Sequence, residues 1–327
     1  MTYQVPFTLT KFEKTLFCID IVVVNVMLFI LTLECITKRD KWEWFLNSLS
    51  DLDEEAELKI DFSLRWKYLL FMSIGHMLYF GEIGCWIYVY STPFGKYVTY
   101  FETVTFFAFG NWVEYSCLVN TLFICNTSLV LKKQFAELNR KFQRYIQSNI
   151  SEVNLEGKII RSIRNINKHY TDLAEICDCF NDLFGLKITM VLWQAVLLIL
   201  RQVCGLFMMH EINVAWTWPA FYLVIFAFTK CVCQVLSMVL CLNSTTMEAI
   251  DILKTSQLVE ETLRHRSKIA EELKILVRVL EVFKPQFTAC GFLVIKKSTL
   301  IRLLDVVATN VVVVVEFRST LAQKEQS

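Results

Sequence analysis

The residues best placed to do chemistry lie in one apolar stretch near the C-terminus, 298–320, which reads STLIRLLDVVATNVVVVVEFRST. Four polar side chains interrupt it: Arg302, Asp305, Thr309 and Glu316. At about 100° per residue, their spacings of three, four and seven place them within one stripe of a helix. Ionisable groups that face lipid cost on the order of several kcal/mol each, so this stripe should border protein or water. Such a stripe is typical of the lining of an ion path.

The backbone conformation of this stretch has to be argued from its context. Five consecutive valines, 311–315, would alone favour a buried strand, because β-branched residues lose side-chain freedom in a helix. A run of roughly 20 mainly apolar residues in a chain with several similar runs predicts a transmembrane helix instead. Val312 and Val313 then fill the gap between Thr309 and Glu316 and form a hydrophobic section that can dewet.

The helical pattern also allows a second interpretation of these charges. Arg302 and Asp305 stand at i and i+3 and can pair within the helix, while Glu316 can lie at the membrane interface near Arg318. The spacing alone does not decide between this arrangement and an ion path.

The composition identifies the elements that must position the stripe. Of 327 residues, 55% are hydrophobic, which is typical of an integral membrane protein. We predict an all-α, polytopic membrane helix bundle. The six predicted spans are 12–36, 68–90, 98–131, 183–209, 218–242 and 298–320.

Three long connecting segments separate these spans. Segments 37–67, 132–182 and 243–297 have helical periodicity and contain 24 of the 33 Lys and Arg residues. By the positive-inside rule they are cytoplasmic, which places the C-terminus outside the cell. We therefore expect a bundle with cytoplasmic helical extensions over 1–286, followed by a terminal helix and an extracellular tail over 287–327.

The pattern argues against several other classes of protein. A formal net charge of +1 and the lack of a compact basic patch with aromatics give no argument for nucleic acid. We find no phosphate-binding glycine-rich loop, metalloprotease helix motif or nucleophile elbow, so we expect no enzyme and no cofactor. The four histidines are scattered over separate segments: His76, His169, His210 and His265.

The twelve cysteines do not predict a metal site either. Most lie within apolar runs and are interpreted as small buried hydrophobic residues. The close pairs 177/179 and 231/233 lack zinc-site spacing and histidine partners.

The same terminal stretch resembles the signature of the insect gustatory receptor family. In that family the last transmembrane helix ends in Thr-Tyr, five hydrophobic residues and Gln-Phe. Here Thr309-Asn310 is followed by five valines and then Glu316-Phe317, so the spacing is kept while two letters differ. Upstream, FTACGF at 287–292, followed by Ser298, Leu300 and Ile301, is similar to the family's approach to that helix. The family has seven spans, and we expect that its first helix has no counterpart here.

The resemblance implies a gustatory receptor in the plasma membrane that acts as a ligand-gated, nonselective cation channel and detects a small tastant. It implies a homo- or hetero-tetramer of related subunits, whose last helices surround the pore and whose cytoplasmic helices form a common anchor. Glu316 and Phe317 stand where the family's Gln-Phe pair constricts the pore. The expected pore-lining residues are Arg302, Asp305, Thr309, Val312, Val313, Glu316 and Phe317.

Ligand binding is expected, by the same resemblance, among the outer halves of the earlier spans. Aromatic side chains with a few polar groups suit a sugar or bitter-compound pocket, although Trp and Tyr also anchor helices at membrane interfaces. Charged residues at that depth are the sharper candidates, because each demands a partner. The candidates are Tyr79, Glu82, Trp86, Glu102, Trp112, Arg201, Gln202 and Tyr222.

Two alternative functions remain open. Asn310 and Glu316 depart from the family signature, which is compatible with a non-conducting partner subunit or a structural relative. A secondary transporter would predict inverted internal repeats, and we find no convincing repeat.

Overall fold

A computed structural model describes residues 26, 29–30, 32–34, 36–55, 62–91, 111–149, 156–211, 218–263 and 267–326. Nearly all of them are helical, which confirms the predicted fold class. The elements are α1 (Arg39–Glu55), α2 (Phe62–Ser91), α3 (Asn111–Asn149), α4 (Glu156–Glu211), α5 (Trp218–Thr262), α6 (Ser267–Val282), β1 (Thr288–Ala289), β2 (Leu293–Val294) and α7 (Lys297–Gln326). The five valines lie inside α7, so the surroundings decide their conformation and the intrinsic strand preference does not.

Helices α3, α4 and α5 are 39, 56 and 45 residues long. A bilayer requires only about 20 residues, so each continues well beyond a membrane span. Among the described residues, three stretches are long and apolar enough to cross a membrane: Glu156–Leu200, Val224–Thr262 and Lys297–Glu316. The predicted first span lies largely outside the described residues, as does the beginning of the third, 98–110.

The main hydrophobic core lies where α3, α4 and α5 meet α1 and α6. Helix α6 shows how the sequence directs this packing. Ile269, Leu273, Leu276 and Leu280 recur at spacings of four, three and four, and all four are fully buried. The charged residues of α6 lie on its other face, where Glu272 pairs with Arg164 of α4.

Helix α1 packs against α4 at the point where the apolar span of α4 begins. The ring of Trp42 packs edge-on against Phe184 at 5.1 Å, and the Lys187 ammonium lies 4.4 Å from the centre of the Trp42 ring. Lys41 donates to Asp182 at 2.6 Å, and this hydrogen bond raises the pKa of the Lys41 ammonium. These contacts tie the first connecting segment to the start of the fourth predicted span.

A β-hairpin separates α6 from α7, at the break that Pro285 and Gly291 predict. The sequence predicts only the break, whereas the structure forms a turn in which Cys290 and Gly291 both have positive φ angles, 52° and 75°. Phe292 N–H donates to the Ala289 carbonyl at 3.1 Å and closes the turn. A turn with two positive φ angles is the tight type that suits a hairpin, and glycine adopts it without strain.

Candidate functional site

The polar edge of α7, comprising Arg302, Asp305, Thr309 and Glu316, lies opposite the face that packs on the rest of the chain. The packed face consists of buried Val314 and half-buried Leu303, Val307 and Val311. At about 100° per residue, the centres of the two faces are roughly 170° apart. All four residues of the polar edge are exposed in the single chain, as are Val312 and Val313. The side chain of Phe317 lies outside the described residues.

Arg302 and Asp305 do not pair with each other, so the intrahelical ion pair that the spacing allows is not formed in this structure. Within the described part of the chain, neither side chain has a hydrogen bond or an ion pair. Asn310, in contrast, donates its amide to the Val306 carbonyl of its own helix at 2.7 Å.

The first turn of α7 is held by two polar side chains. The hydroxyl of buried Thr299 accepts the Lys296 N–H at 3.0 Å, which caps the helix from its third position. Asn243 of α5 accepts the Lys297 N–H at 3.3 Å and satisfies another of the amides that a helix start leaves unpaired.

The hairpin fixes the approach to α7 by docking on α4. The amide of Asn181 donates to the Gln286 carbonyl at 2.7 Å, and its oxygen accepts the Thr288 N–H at 2.9 Å. A Cβ atom at Gly185 would lie 3.0 Å from the Cys290 nitrogen, so glycine permits this close approach of backbone to helix.

A second polar feature lies inside the bundle and is named here the ion cluster: Lys230 of α5, Glu82 of α2 and Glu114 of α3. The Lys230 ammonium donates to Glu114 at 2.5 Å and also to Glu82. The three side chains are 3%, 6% and 4% exposed for Lys230, Glu114 and Glu82. All three lie within predicted spans, so water cannot replace the partners that each loses if the cluster opens.

Aromatic groups complete the surroundings of the ion cluster. The Lys230 ammonium lies 5.6 Å from the centre of the Tyr79 ring, which packs 5.1 Å from that of Tyr115. The Tyr115 hydroxyl is 3.4 Å from His76 Nε2, and His76 Nδ1 is 2.7 Å from the Met72 carbonyl. The arrangement holds one ammonium group between two carboxylates and an aromatic face.

Polar contacts between α3 and α5 continue along both helices from the ion cluster. Gln234 donates to the Thr121 hydroxyl at 2.9 Å, and the hydroxyls of Ser128 and Thr245 are 2.8 Å apart. The α3 residues follow Glu114 at intervals of seven, so all of them lie on one side of that helix. Hydrogen bonds inside a membrane bundle fix the register of two helices, because lipid offers no alternative partner.

The structure brings only some of the predicted ligand residues together. Tyr79 and Glu82 lie at the ion cluster, Gln202 is half-buried on α4, and Tyr222 is exposed on α5. The remaining candidates are not described: Glu102 is outside the described residues, as are the side chains of Trp86, Trp112 and Arg201.

Sequence reasoning missed Lys230 and Glu114. Both are charges within predicted apolar spans, and the argument that singled out Glu82 applies to them equally. Their pairing could not be predicted from the sequence, because Glu82 and Lys230 are 148 positions apart.

The described residues contain no group of three or more His, Cys, Asp or Glu side chains placed to hold a metal ion. Eight cysteines within the described ranges are free thiols, four of them buried.

Helices that are long and apolar enough to cross a bilayer, and that continue beyond it into a helical bundle, define the class, a multi-pass membrane protein. The solved structure of the insect olfactory receptor OR5 from Machilis hrabei matches with a TM-score of 0.64, covering 91% of this chain and 80% of that chain at 9% sequence identity. This identity is too low to carry more than the fold.

The family model described as 7tm chemosensory receptor matches residues 1–321. The chain belongs to this chemosensory receptor family, in agreement with the resemblance of its last helix to the insect receptors. No curated protein sequence matches the chain.

Proposed function

We propose that this protein is a gustatory-type chemosensory receptor that detects a small tastant and works as a ligand-gated, nonselective cation channel. One observation carries the proposal: the polar edge of α7 points away from the chain's own bundle. A transmembrane helix with this edge requires either water or further protein beside it. A tetramer of related subunits, with α7 of each around a common axis, supplies both.

The proposed conduit has a hydrophobic section and a polar mouth. The side chains of Val312 and Val313 are 54% and 57% exposed and form a hydrophobic section that closes the conduit by dewetting. Glu316 lies about one turn further along the helix. The proposed orientation places the long connecting segments in the cytoplasm, so the Glu316 and Phe317 mouth is extracellular.

Glu316 should make this conduit more selective for cations than one with glutamine at the same position. Four carboxylates in a narrow ring concentrate negative charge and attract cations. Glu316→Gln should therefore shift the reversal potential of the ligand-evoked current in a cation gradient and weaken block by divalent ions. Glu281→Gln, at an exposed carboxylate of α6, is the matched control. Equal selectivity of all three proteins would remove Glu316 from the conduit.

The tastant site is proposed among the outer halves of the spans before α7, near Trp86, Glu102, Trp112, Arg201, Gln202 and Tyr222. Glu82 differs from these candidates because Lys230 already holds it. We therefore assign Glu82 to the ion cluster, where a ligand would have to displace an ammonium group to reach it.

A second candidate function is a partner subunit that does not conduct alone. It is favoured by Asn310 and Glu316, which depart from the family signature. Expression with ion-current recording against a panel of sugars and bitter compounds, alone and with other subunits, separates the two. Current from the chain alone supports the channel, whereas current only on co-expression supports the partner subunit.

A further inference from the structure

We infer that Arg302 of one subunit pairs with Asp305 of the next copy of this chain, so that alternating charges form a closed ring between neighbouring α7 helices. This inference deepens the proposed function and rests on its arrangement of several α7 helices around one axis. The pairing residues come from two copies, so the ring is incomplete in a single chain.

The first argument is charge. Arg302 and Asp305 are exposed on a helix that is long and apolar enough to span a membrane, and within the described part of the chain neither has an ion-pair or hydrogen-bond partner. Asp305 lies about 12 Å along the helix from Lys297, beyond the first turns. Charges without a partner at such a position are costly beside lipid, so each requires water or a partner from outside the chain.

The second argument identifies that partner. A lipid phosphate can pair with Arg302 but repels Asp305, so a phosphate group satisfies only one of the two charges. A second copy offers one group of each sign and satisfies both. The opposite charges lie about 4.5 Å apart along the helix axis, which is a small offset for a long arginine side chain to cover.

The third argument is the position of the two residues around α7. At about 100° per residue, Arg302 lies roughly 30° to one side of the centre of the polar edge and Asp305 roughly 30° to the other. In a ring of parallel helices that turn this edge towards the axis, one side of each helix meets the opposite side of the next. The Arg302 side of one copy therefore meets the Asp305 side of its neighbour at every interface.

Charge reversal in separate full-length subunits tests the inference. Arg302→Asp alone and Asp305→Arg alone place like charges at every interface, so each should lower the ratio of assembled to single subunits by about tenfold or more. Co-expressed, the two variants can alternate around the ring, and every interface then pairs Asp with Arg. Assembly is measured by native gel and by counting bleaching steps of fluorescently tagged subunits.

The comparison variants separate pairing between copies from pairing within one helix. The double variant Arg302→Asp/Asp305→Arg should assemble like the wild type under either mode, whereas recovery in the co-expressed mixture requires pairing between copies. Ile301→Asp and Leu304→Arg, placed in separate subunits, are the matched control. They have the same spacing, but both positions lie on one side of α7, so mixing these two variants should not recover assembly.

Recovery in the mixture supports the ring. The inference is overturned if the double variant recovers and the mixture does not, if neither single reversal lowers assembly, or if the wild-type chain stays monomeric. Assembly of the wild-type chain without any ligand-evoked current, alone or with other subunits, would leave the ring in place and reject the proposed channel function.

Discussion

Replacing Lys230 by methionine tests whether the ion cluster holds α2, α3 and α5 together. Methionine keeps a long unbranched side chain but leaves the carboxylates of Glu82 and Glu114 without the ammonium that both now contact. Removing one partner from a buried ion pair costs about 3–5 kcal/mol. Repulsion between the two carboxylates adds to this cost.

Lys254→Met is a matched control on the same helix. Lys254 pairs with Asp251 at 2.8 Å, but the two side chains are 60% and 47% exposed, so water compensates for a lost partner. Such an exposed pair contributes at most about 1 kcal/mol. Heat inactivation of the detergent-solubilised, fluorescently tagged receptor, followed by size-exclusion chromatography, should show a much larger fall in midpoint temperature for Lys230→Met than for Lys254→Met.

The triple variant Lys230→Met/Glu82→Gln/Glu114→Gln distinguishes loss of charge balance from loss of packing. Replacing a whole buried ion group by neutral groups is often close to neutral in stability, so the triple variant should recover much of the loss. The reasoning is refuted if Lys230→Met resembles its control, or if the triple variant is no more stable than the single one.

Three further outcomes are expected. Thr309→Cys, on the polar edge, should react with a water-soluble thiol reagent during ligand-evoked current. Ala308→Cys, on the neighbouring apolar side, should react much more slowly. Equal reaction rates would contradict a water-filled edge. Asn181→Ala should lower the stability of the solubilised receptor by about 1–2 kcal/mol, because two hydrogen bonds to the hairpin are lost. Gly185→Ala should lower the stability of the receptor by about 1–3 kcal/mol, because the added methyl group forces the Cys290 backbone away. It should also speed tryptic cleavage within 284–297, and unchanged cleavage would contradict this expectation.

Much of the fold follows from hydrophobic pattern, because a membrane chain must satisfy its backbone within helices. The last helix could be predicted because its run of about 20 apolar residues stands in a chain with several similar runs, and the spacing of Arg302, Asp305, Thr309 and Glu316 then gives its polar edge. The long α3 and α4 follow in the same way, since helical periodicity continues from the apolar spans into the charged segments.

The rest depends on contacts between distant parts of the chain. Strands of two residues leave no periodicity to detect, and the hairpin exists because Asn181 and Gly185 of α4 accommodate it. Charge at membrane depth signals that a partner is needed, yet only the packing of α2 against α5 shows that Lys230 is the partner of Glu82.

Helix α5 connects the two polar features of the molecule. At Lys230 it supplies the ammonium of the ion cluster, and at Asn243 it holds the first amide of α7. These residues are thirteen positions apart, about 20 Å along one continuous helix. The hydrogen bond from Gln234 to Thr121 fixes α5 against α3 between them. A ligand that moves α5 at the cluster must therefore either bend this helix or displace the start of α7, and the polar edge of α7 begins less than two turns from that point.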